Sequence, residues 1–397
     1  MKRYIALFVA IFMIAALTAC GGGANDAQPE TPPDTVETEQ PDPVEPDDND
    51  HDHDHDHDND HDHDDDDVAT QGNGDPSYIA VISKGFQHQF WQAVYTGARA
   101  AGENYGVEVS FHGPESEADI GPQLDMVRAA LARNPDAFAF AALDTAAALA
   151  ELQDAYDRGI PVIGFDSGVP EAPPGQVLAT AATDNVEAGG VGAINMFPEI
   201  QDAIAAATED DPVIIAILSQ DVTSESITGR TRGFAERMME LAGDVNDSVA
   251  ITGGFSAINT GDENAAVQIE VFVGASPETV DMTTAAHGVL NTPNLIGVFG
   301  SNEGAVGGLL STIVAGTVVP DGVILVGFDA GAMQKGAVEE GIMFGSVTQD
   351  PFEIGYQAVS LAVRAARGES VSDVDTGAQW WNADNMHDDD IAILLYD

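Results

Sequence analysis

The sequence predicts an α/β protein built from two doubly wound, parallel-sheet lobes. Three observations carry this. From Tyr78 onward, short apolar runs bounded by turn residues alternate with longer stretches of helical period, the pattern of a parallel sheet covered by helices. The alternation comes as two successive series. The 397 residues, 44% of them hydrophobic, exceed one ordinary domain and suffice for two compact units plus tails.

The first series opens with a strand at 78–82. Trp91, Val94, Ala98, Ala101 and Tyr105 then recur at three-to-four spacing, a helix whose apolar stripe packs on the sheet. A strand at 107–111, a helix at 120–132, a strand at 137–142, a helix at 145–156 and a strand at 162–165, ending at Asp166, complete the unit. The second series reads strand 213–218, helix 228–241, strand 249–252, helices 264–273 and 280–290, and strand 295–299. It continues with helix 304–314, strand 323–328, helix 332–339, strand 344–348 and helix 352–367.

Charge narrows the function. The chain has 13 Lys plus Arg against 67 Asp plus Glu, a net of −54. No basic surface exists to release counterions from a nucleic acid, so DNA and RNA are excluded as partners. A single cysteine excludes a disulfide scaffold. The 68–397 portion holds 47 acids and 11 bases and is acidic in its own right. Such a surface is compatible with a salt-rich or alkaline exterior, where screening weakens self-repulsion.

The start of the chain reads as an address. Met1, Lys2 and Arg3 precede an uncharged apolar run at 4–19, a secretion signal. Sixteen residues are short for a membrane span, which needs about 20. Leu17-Thr18-Ala19-Cys20 resembles the bacterial lipobox, which implies cleavage before Cys20 and a lipid on its sulfur; a helix with a chance cysteine is the alternative. Residues 20–76 then read as a linker. Between 21 and 67 there are 20 acids, no Lys or Arg and repeated Pro, a composition that cannot bury enough surface to offset its ordering entropy. Within it His51, His53, His55, His57, His61 and His63 alternate with Asp. Two readings stand: weak multivalent capture of zinc, nickel or copper, or a solvated spacer with no defined site.

Ligands of open parallel sheets bind beyond the carboxyl ends of strands. Those ends carry Lys84 to Trp91 after the first strand, Asp166-Ser167, Asn302-Glu303, Asp329, and Gln349-Asp350, with Arg230 and Arg232 beginning the helix after Leu218. Carboxylates, amides and a guanidinium supply the mixed donors and acceptors that hydroxyls need, and Phe90 and Trp91 supply flat apolar surface. Blander roles compete. Adjacent on a helix, Phe90 and Trp91 place at most one ring squarely in the core; Asp166 and Asp329 can cap helices; Arg230 can be a surface residue.

Taken in order, Gln89-Phe90-Trp91 with Gly97-Ala98, Ile160 through Asp166, Thr183-Asp184-Asn185 with Gly189, Arg230 with Gly233-Phe234, Asn302-Glu303, Val326-Gly327-Phe328-Asp329, and Gln349-Asp350-Pro351-Phe352 with Gly355-Tyr356 resemble the ribose-type periplasmic sugar-binding proteins. These are substrate-binding lipoproteins of carbohydrate ABC importers. The resemblance implies a type I periplasmic-binding-protein fold: a lobe of 77–182 plus 350–376, a lobe of 183–349 plus 377–397, and a three-crossover hinge near 181–185, just past Gln349 and near 374–379. It implies that His88, Phe90, Trp91, Asp166, Arg230, Asn302, Asp329 and Gln349 bind a monosaccharide or polyol, with Asp184 and Asn185 at the hinge. It also implies an ABC permease as partner, a monomer outside the cytoplasm on a lipid anchor, and no required cofactor. The chain departs from the ribose pattern in a loop one residue longer before Phe90, in His88 where an amide is usual, and in Ser167 where an Arg would follow the aspartate. Phe255 is a further candidate wall of the site.

Enzyme signatures are absent. There is no Gly-x-Ser-x-Gly elbow, no His-Glu-x-x-His and no phosphate loop, and Asn195 stands where a dinucleotide fingerprint beginning at Gly190 needs its third glycine. The expectation is a binding protein, not an enzyme. A sensory sugar receptor passing occupancy to a membrane partner, and a metal-scavenging lipoprotein using the His/Asp tract, are the other classes considered. A repressor of the related family would need a basic helix-turn-helix where this chain has an acidic linker.

Overall fold

The computed structural model describes residues 75–86 and 88–396. The expectations for Cys20, the linker and the His/Asp tract lie outside them. Chain order gives β1 (Tyr78–Ile82), α1 (Gln89–Tyr105), β2 (Glu108–His112), α2 (Ile120–Ala132), β3 (Ala137–Phe140), α3 (Leu149–Asp157), β4 (Val162–Phe165) and β5 (Ala179–Ala182). Next come α4 (Asn185–Ala206), β6 (Val213–Ser219), α5 (Glu225–Gly243), β7 (Val249–Gly253), β8 (Val267–Val273), α6 (Thr279–Leu290), β9 (Leu295–Gly300), α7 (Glu303–Val314), β10 (Ile324–Phe328), α8 (Ala332–Glu339) and β11 (Gly345–Gln349). The chain ends with α9 (Pro351–Ala366), β12 (Val374–Asp375), β13 (Ala378–Trp381) and α10 (Asp389–Ala392).

Two sheets result, ordered β12-β5-β4-β3-β1-β2 and β13-β11-β10-β9-β6-β8-β7. Every pairing is parallel except β11 with β13. The central strands are apolar on both faces because helices cover both: Ile79 to Ile82 and Ile215 to Leu218 are buried without alternation. The chain passes between the sheets three times, from β5 into α4, from β11 into α9 and from β12 into β13. The doubly wound, three-crossover fold expected from the sequence is the one observed. The crossovers are laced together: Thr183 Oγ1 donates to Gly377 O at 2.9 Å and Asp184 N to Asp375 Oδ1 at 3.2 Å.

Each lobe seats one helix pair by reciprocal glycines. A Cβ on Gly97 of α1 would collide with the carbonyl oxygen of Phe352 in α9, and one on Gly355 with that of Val94. In the other lobe Gly189 of α4 and Gly233 of α5 meet the carbonyls of Arg230 and Val186 in the same way. Only glycine permits backbones this close, and the second crossing is what brings Asn185 beside Arg230.

Several expectations are corrected. Residues 264–273 are not a helix: 267–273 form β8, inserted between β6 and β7, with Val267, Ile269 and Val271 buried on one face and Gln268 and Glu270 less so on the other. That period of two, in a run rich in β-branched residues, is strand chemistry. The helix expected at 145–156 begins at Leu149, after a turn in which Asp144 Oδ1 accepts from Ala147 N at 2.8 Å. The helix carrying Arg230 begins at Glu225, so Arg230 lies in its second turn and does not open it. The strand β5 and the helix α4 occupy a stretch the periodicity leaves unassigned, because the glycines and Pro198 of α4 read as breakers.

Candidate functional site

All eight residues expected at the site line one cavity between the lobes, joined by Lys84, Glu117, Ile227 and Glu303. Phe90 and Trp91 begin α1, and both are buried members of the first lobe's core, with ring centroids 4.9 Å apart at 82°. The reasoning that adjacency leaves at most one ring in the core therefore fails: this helix start has sheet on one side and the opposite lobe on the other. Phe255 is not part of the site. It packs into the second lobe's core with Ile258.

Asp166 and Asp329 terminate equivalent strands, each after Gly-Phe, and both have positive φ, +55° and +73°. Asp tolerates this left-handed region better than most residues, at a cost of order 1 kcal/mol. The repeated Gly-Phe-Asp is a sequence signal for the paired lobes that composition and periodicity pass over. Asp329 is fully engaged by its own lobe: Oδ1 accepts from Gln349 Nε2 at 2.8 Å and Oδ2 from Glu303 N at 2.9 Å. The second of these caps α7, so the capping role weighed for Asp329 is present.

Asp166 differs. It is 3% exposed, and its Oδ2 forms an ion pair with Lys84 Nζ at 3.2 Å but no well-aligned hydrogen bond. The Arg230 guanidinium stands 4.0 Å from Asp166 Oδ1 and 3.6 Å from Asp329 Oδ2. Burial raises the Asp166 carboxyl above its ordinary range, against the pull of Lys84 and Arg230. Arg230 is held from behind, with Nε donating to Asn185 Oδ1 at 2.9 Å and the guanidinium carbon 3.9 Å from the centre of the Phe328 ring. Asn185 is thus tied to a cavity residue, while its neighbour Asp184 caps α4 by accepting from Glu187 N.

Asn302 caps α7, its Oδ1 accepting from Ala305 N at 2.9 Å, and donates through Nδ2 to Gln220 Oε1 at 2.8 Å. Gln349 Oε1 accepts from the Thr183 hydroxyl of the hinge at 3.1 Å. His88 occupies the cap position of α1 and lines the cavity. Lys84, buried at the end of β1, donates to Ser226 Oγ at 2.9 Å across the cleft. Burial alone would depress its ammonium, but Asp166, Glu117 and Asp221 outweigh burial and it ends raised. Glu117 accepts from Trp91 Nε1 at 2.8 Å and Gln220 Nε2 at 2.7 Å. Burial opposes its ionisation, yet Lys84, His88 and these two bonds hold it below the usual range. Glu303 accepts from the first N–H groups of α1 at 3.4 Å, and burial pushes its carboxyl up.

Sequence reasoning missed Glu117 because it lies in a loop of mixed polarity, and missed its partner Gln220 although that residue directly follows the carboxyl end of β6. Lys84 and Glu303 sit at strand ends, yet nothing in their spacing separates them from solvated neighbours. The arrangement offers hydrogen bonds of both senses and a flat apolar wall. Among the described residues, no three His, Cys, Asp or Glu side chains are grouped to hold a metal ion, and no helix is long and apolar enough to cross a membrane.

Residues 79–370 match the family described as periplasmic binding protein domain. The D-allose-binding periplasmic protein of Escherichia coli K12 is 24% identical over 315 residues, covering 77% of this chain and 90% of that protein. A Brachyspira murdochii structure described as an ABC transporter, LacI family transcriptional regulator is 39% identical with a TM-score of 0.68, covering 81% of this chain and 99% of that one. An Agrobacterium vitis ABC transporter solute-binding protein with bound D-fucose is 26% identical with a TM-score of 0.66, covering 81% and 100%. The resemblance read from the sequence is borne out: with its two lobes and matching span, the chain belongs to the periplasmic binding protein domain family, that of the sugar-binding solute-binding proteins of ABC transporters.

Proposed function

We propose that this protein is an extracytoplasmic substrate-binding lipoprotein of an ABC importer that captures a monosaccharide or related polyol between its lobes and delivers it to a permease. The observation that carries the ligand class is the buried Asp166 carboxylate, which is ion-paired with Lys84 at 3.2 Å and faces Arg230 at 4.0 Å but lacks a well-aligned hydrogen bond on Oδ2. A buried carboxylate whose hydrogen bonds are incomplete is costly even beside cations, and sugar hydroxyls supply further hydrogens. Arg230 and the remaining N–H of Asn302 donate to ring and hydroxyl oxygens, and Phe90 and Trp91 cover the C–H face. The space between the lobes is about 20 Å³, room for about one water, so a sugar ring enters only when the lobes part about the crossovers and then close on it. A ligand touching both lobes favours closure by its differential affinity. None of these groups forms a nucleophile with an oriented base, which supports binding without catalysis. Relatives named for D-allose and crystallised with D-fucose or D-arabinose supply the first sugars to try.

The test is a thermal-shift and calorimetric screen of the mature protein against monosaccharides and polyols that include these three. A saturable, one-to-one response to at least one supports the reading. Silence across the panel, with the protein folded, rejects it.

A further inference from the structure

Glu117 belongs to the first lobe and Gln220 to the second, so their hydrogen bond of 2.7 Å exists only while the cleft is shut. Both side chains are buried, at 5% and 1% exposed. The bond is also the middle of a chain: Trp91 Nε1 donates to Glu117 Oε1, Gln220 Nε2 to Glu117 Oε2, and Asn302 Nδ2 to Gln220 Oε1. Both oxygens of the carboxylate and both functions of the amide are therefore used. On the far side of this pair lies a second cavity of about 300 Å³, lined by Gln220, Asp221, Leu143 and Pro277. Glu117 is the one residue that lines both that cavity and the site.

Other bonds also cross the cleft. Ser116 Oγ donates to Glu278 and the backbone N–H of Ala332 to Gln89 Oε1, but the first is part-buried and the second exposed. Two further buried bonds are Lys84 to Ser226, whose lysine lines the site, and the backbone N–H of Ser226 to Ser167 Oγ at 3.2 Å, which stands apart from the Trp91-to-Asn302 chain. Gln220 does not line the site. We propose that Gln220 is a positioning residue that latches the closed cleft through Glu117, walls the site off from the outer cavity, and so sets how long a bound ligand stays. It acts through Glu117 and Asn302 and contacts no ligand. When the lobes part, water solvates both partners, so losing the latch leaves more of the ligand-free protein open and does not slow ligand entry.

The inference rests on the sugar-site reading only for the identity of the ligand. The experiment uses the mature chain and, as probe, whichever of D-allose, D-fucose and D-arabinose the wild type binds, with stopped-flow tryptophan fluorescence as readout. Gln220→Ala, and Gln220→Leu to preserve volume, should raise the dissociation rate about 10- to 100-fold, the range for a lost hydrogen bond to a charged group. The association rate should stay the same or rise. A merely structural role would instead lower association and melting temperature together. An unchanged dissociation rate in a folded variant overturns the latch. If none of the sugars binds wild type, the sugar reading fails separately, and the latch is judged without ligand by small-angle scattering. A larger radius of gyration for Gln220→Leu than for wild type supports it, and equal radii overturn it.

Discussion

Asp166 and Asp329 are counterparts: each follows Gly-Phe at the carboxyl end of a strand, each has a left-handed backbone, and the guanidinium of Arg230 stands between their carboxylates at 4.0 and 3.6 Å. One aspartate is saturated by its own lobe and the other is not. The pair therefore divides the work of the cleft, with Asp329 holding Arg230, Gln349 and α7 in place and Asp166, ion-paired with Lys84, presenting the acceptor left short of hydrogen bonds.

Asp166→Ala and Arg230→Ala should nearly abolish binding of the sugar found in the screen. Removing one side of a charged hydrogen bond in a desolvated cleft costs on the order of 2 to 5 kcal/mol, roughly 30-fold to several thousandfold in affinity. Arg364→Ala is the control, since that side chain is 41% exposed on α9 and paired with Glu369. Calorimetry on folded variants checks this. Binding by both site variants within about threefold of wild type would show that the cleft chemistry is misassigned.

The positive φ of Asp166 gives a second outcome. Alanine inherits the strained backbone without the side chain, whereas glycine relieves it. Asp166→Gly should be more stable than Asp166→Ala by about 1 kcal/mol while both fail to bind sugar. Urea denaturation of the two variants decides; Asp166→Ala equal to or above Asp166→Gly contradicts the strain.

The pH dependence follows from the direction of the shift. Burial raises the Asp166 carboxyl, so between its unfolded and folded pKa the native state binds more protons than the unfolded one, and stability falls as pH rises through that window. Asp166→Asn removes this titration. Its melting temperature relative to wild type should therefore be higher at neutral pH than in weak acid, all without ligand. For wild type, sugar affinity should fall as acidification protonates Asp166, since a protonated carboxyl loses acceptor capacity. A melting difference between the two proteins that is flat from pH 4 to 7 would rule out a raised Asp166.

The lipobox resemblance of Leu17 to Cys20 leads to a different expectation. Cys20→Ser expressed in a bacterial host should move the mature protein from the membrane fraction to the medium or periplasm. Mass spectrometry that finds Cys20 unmodified and internal in the mature chain removes the anchor from the proposal.

For the His/Asp tract we expect weak, multi-site uptake of zinc or nickel that leaves the sugar site untouched. Titration of the full mature chain against a form lacking 51–67 should differ in metal uptake alone. Equal uptake dismisses the tract as a metal binder, and sugar affinity that follows metal would join two functions proposed to be separate.

The α/β alternation, the two lobes and the strand-end set from His88 to Gln349 were legible in residue order alone, because local apolar periodicity is strong and ligands of parallel sheets collect at carboxyl ends. Even there, 267–273 misled, since a half-buried strand in a mixed-polarity stretch is separated from a helix only by its neighbours β6 and β7. It took the folded chain to reveal that Asp329 is saturated by its own lobe while Asp166, beside Lys84, is short of hydrogen bonds, that Asn185 reaches Arg230 through the Gly189 and Gly233 crossing, and that Glu117 meets Gln220 across the cleft. Those partners are 45 and 103 residues apart in the chain. Hydrogen bonds over such distances depend on how the lobes are wound and closed, and no local pattern of polarity encodes them.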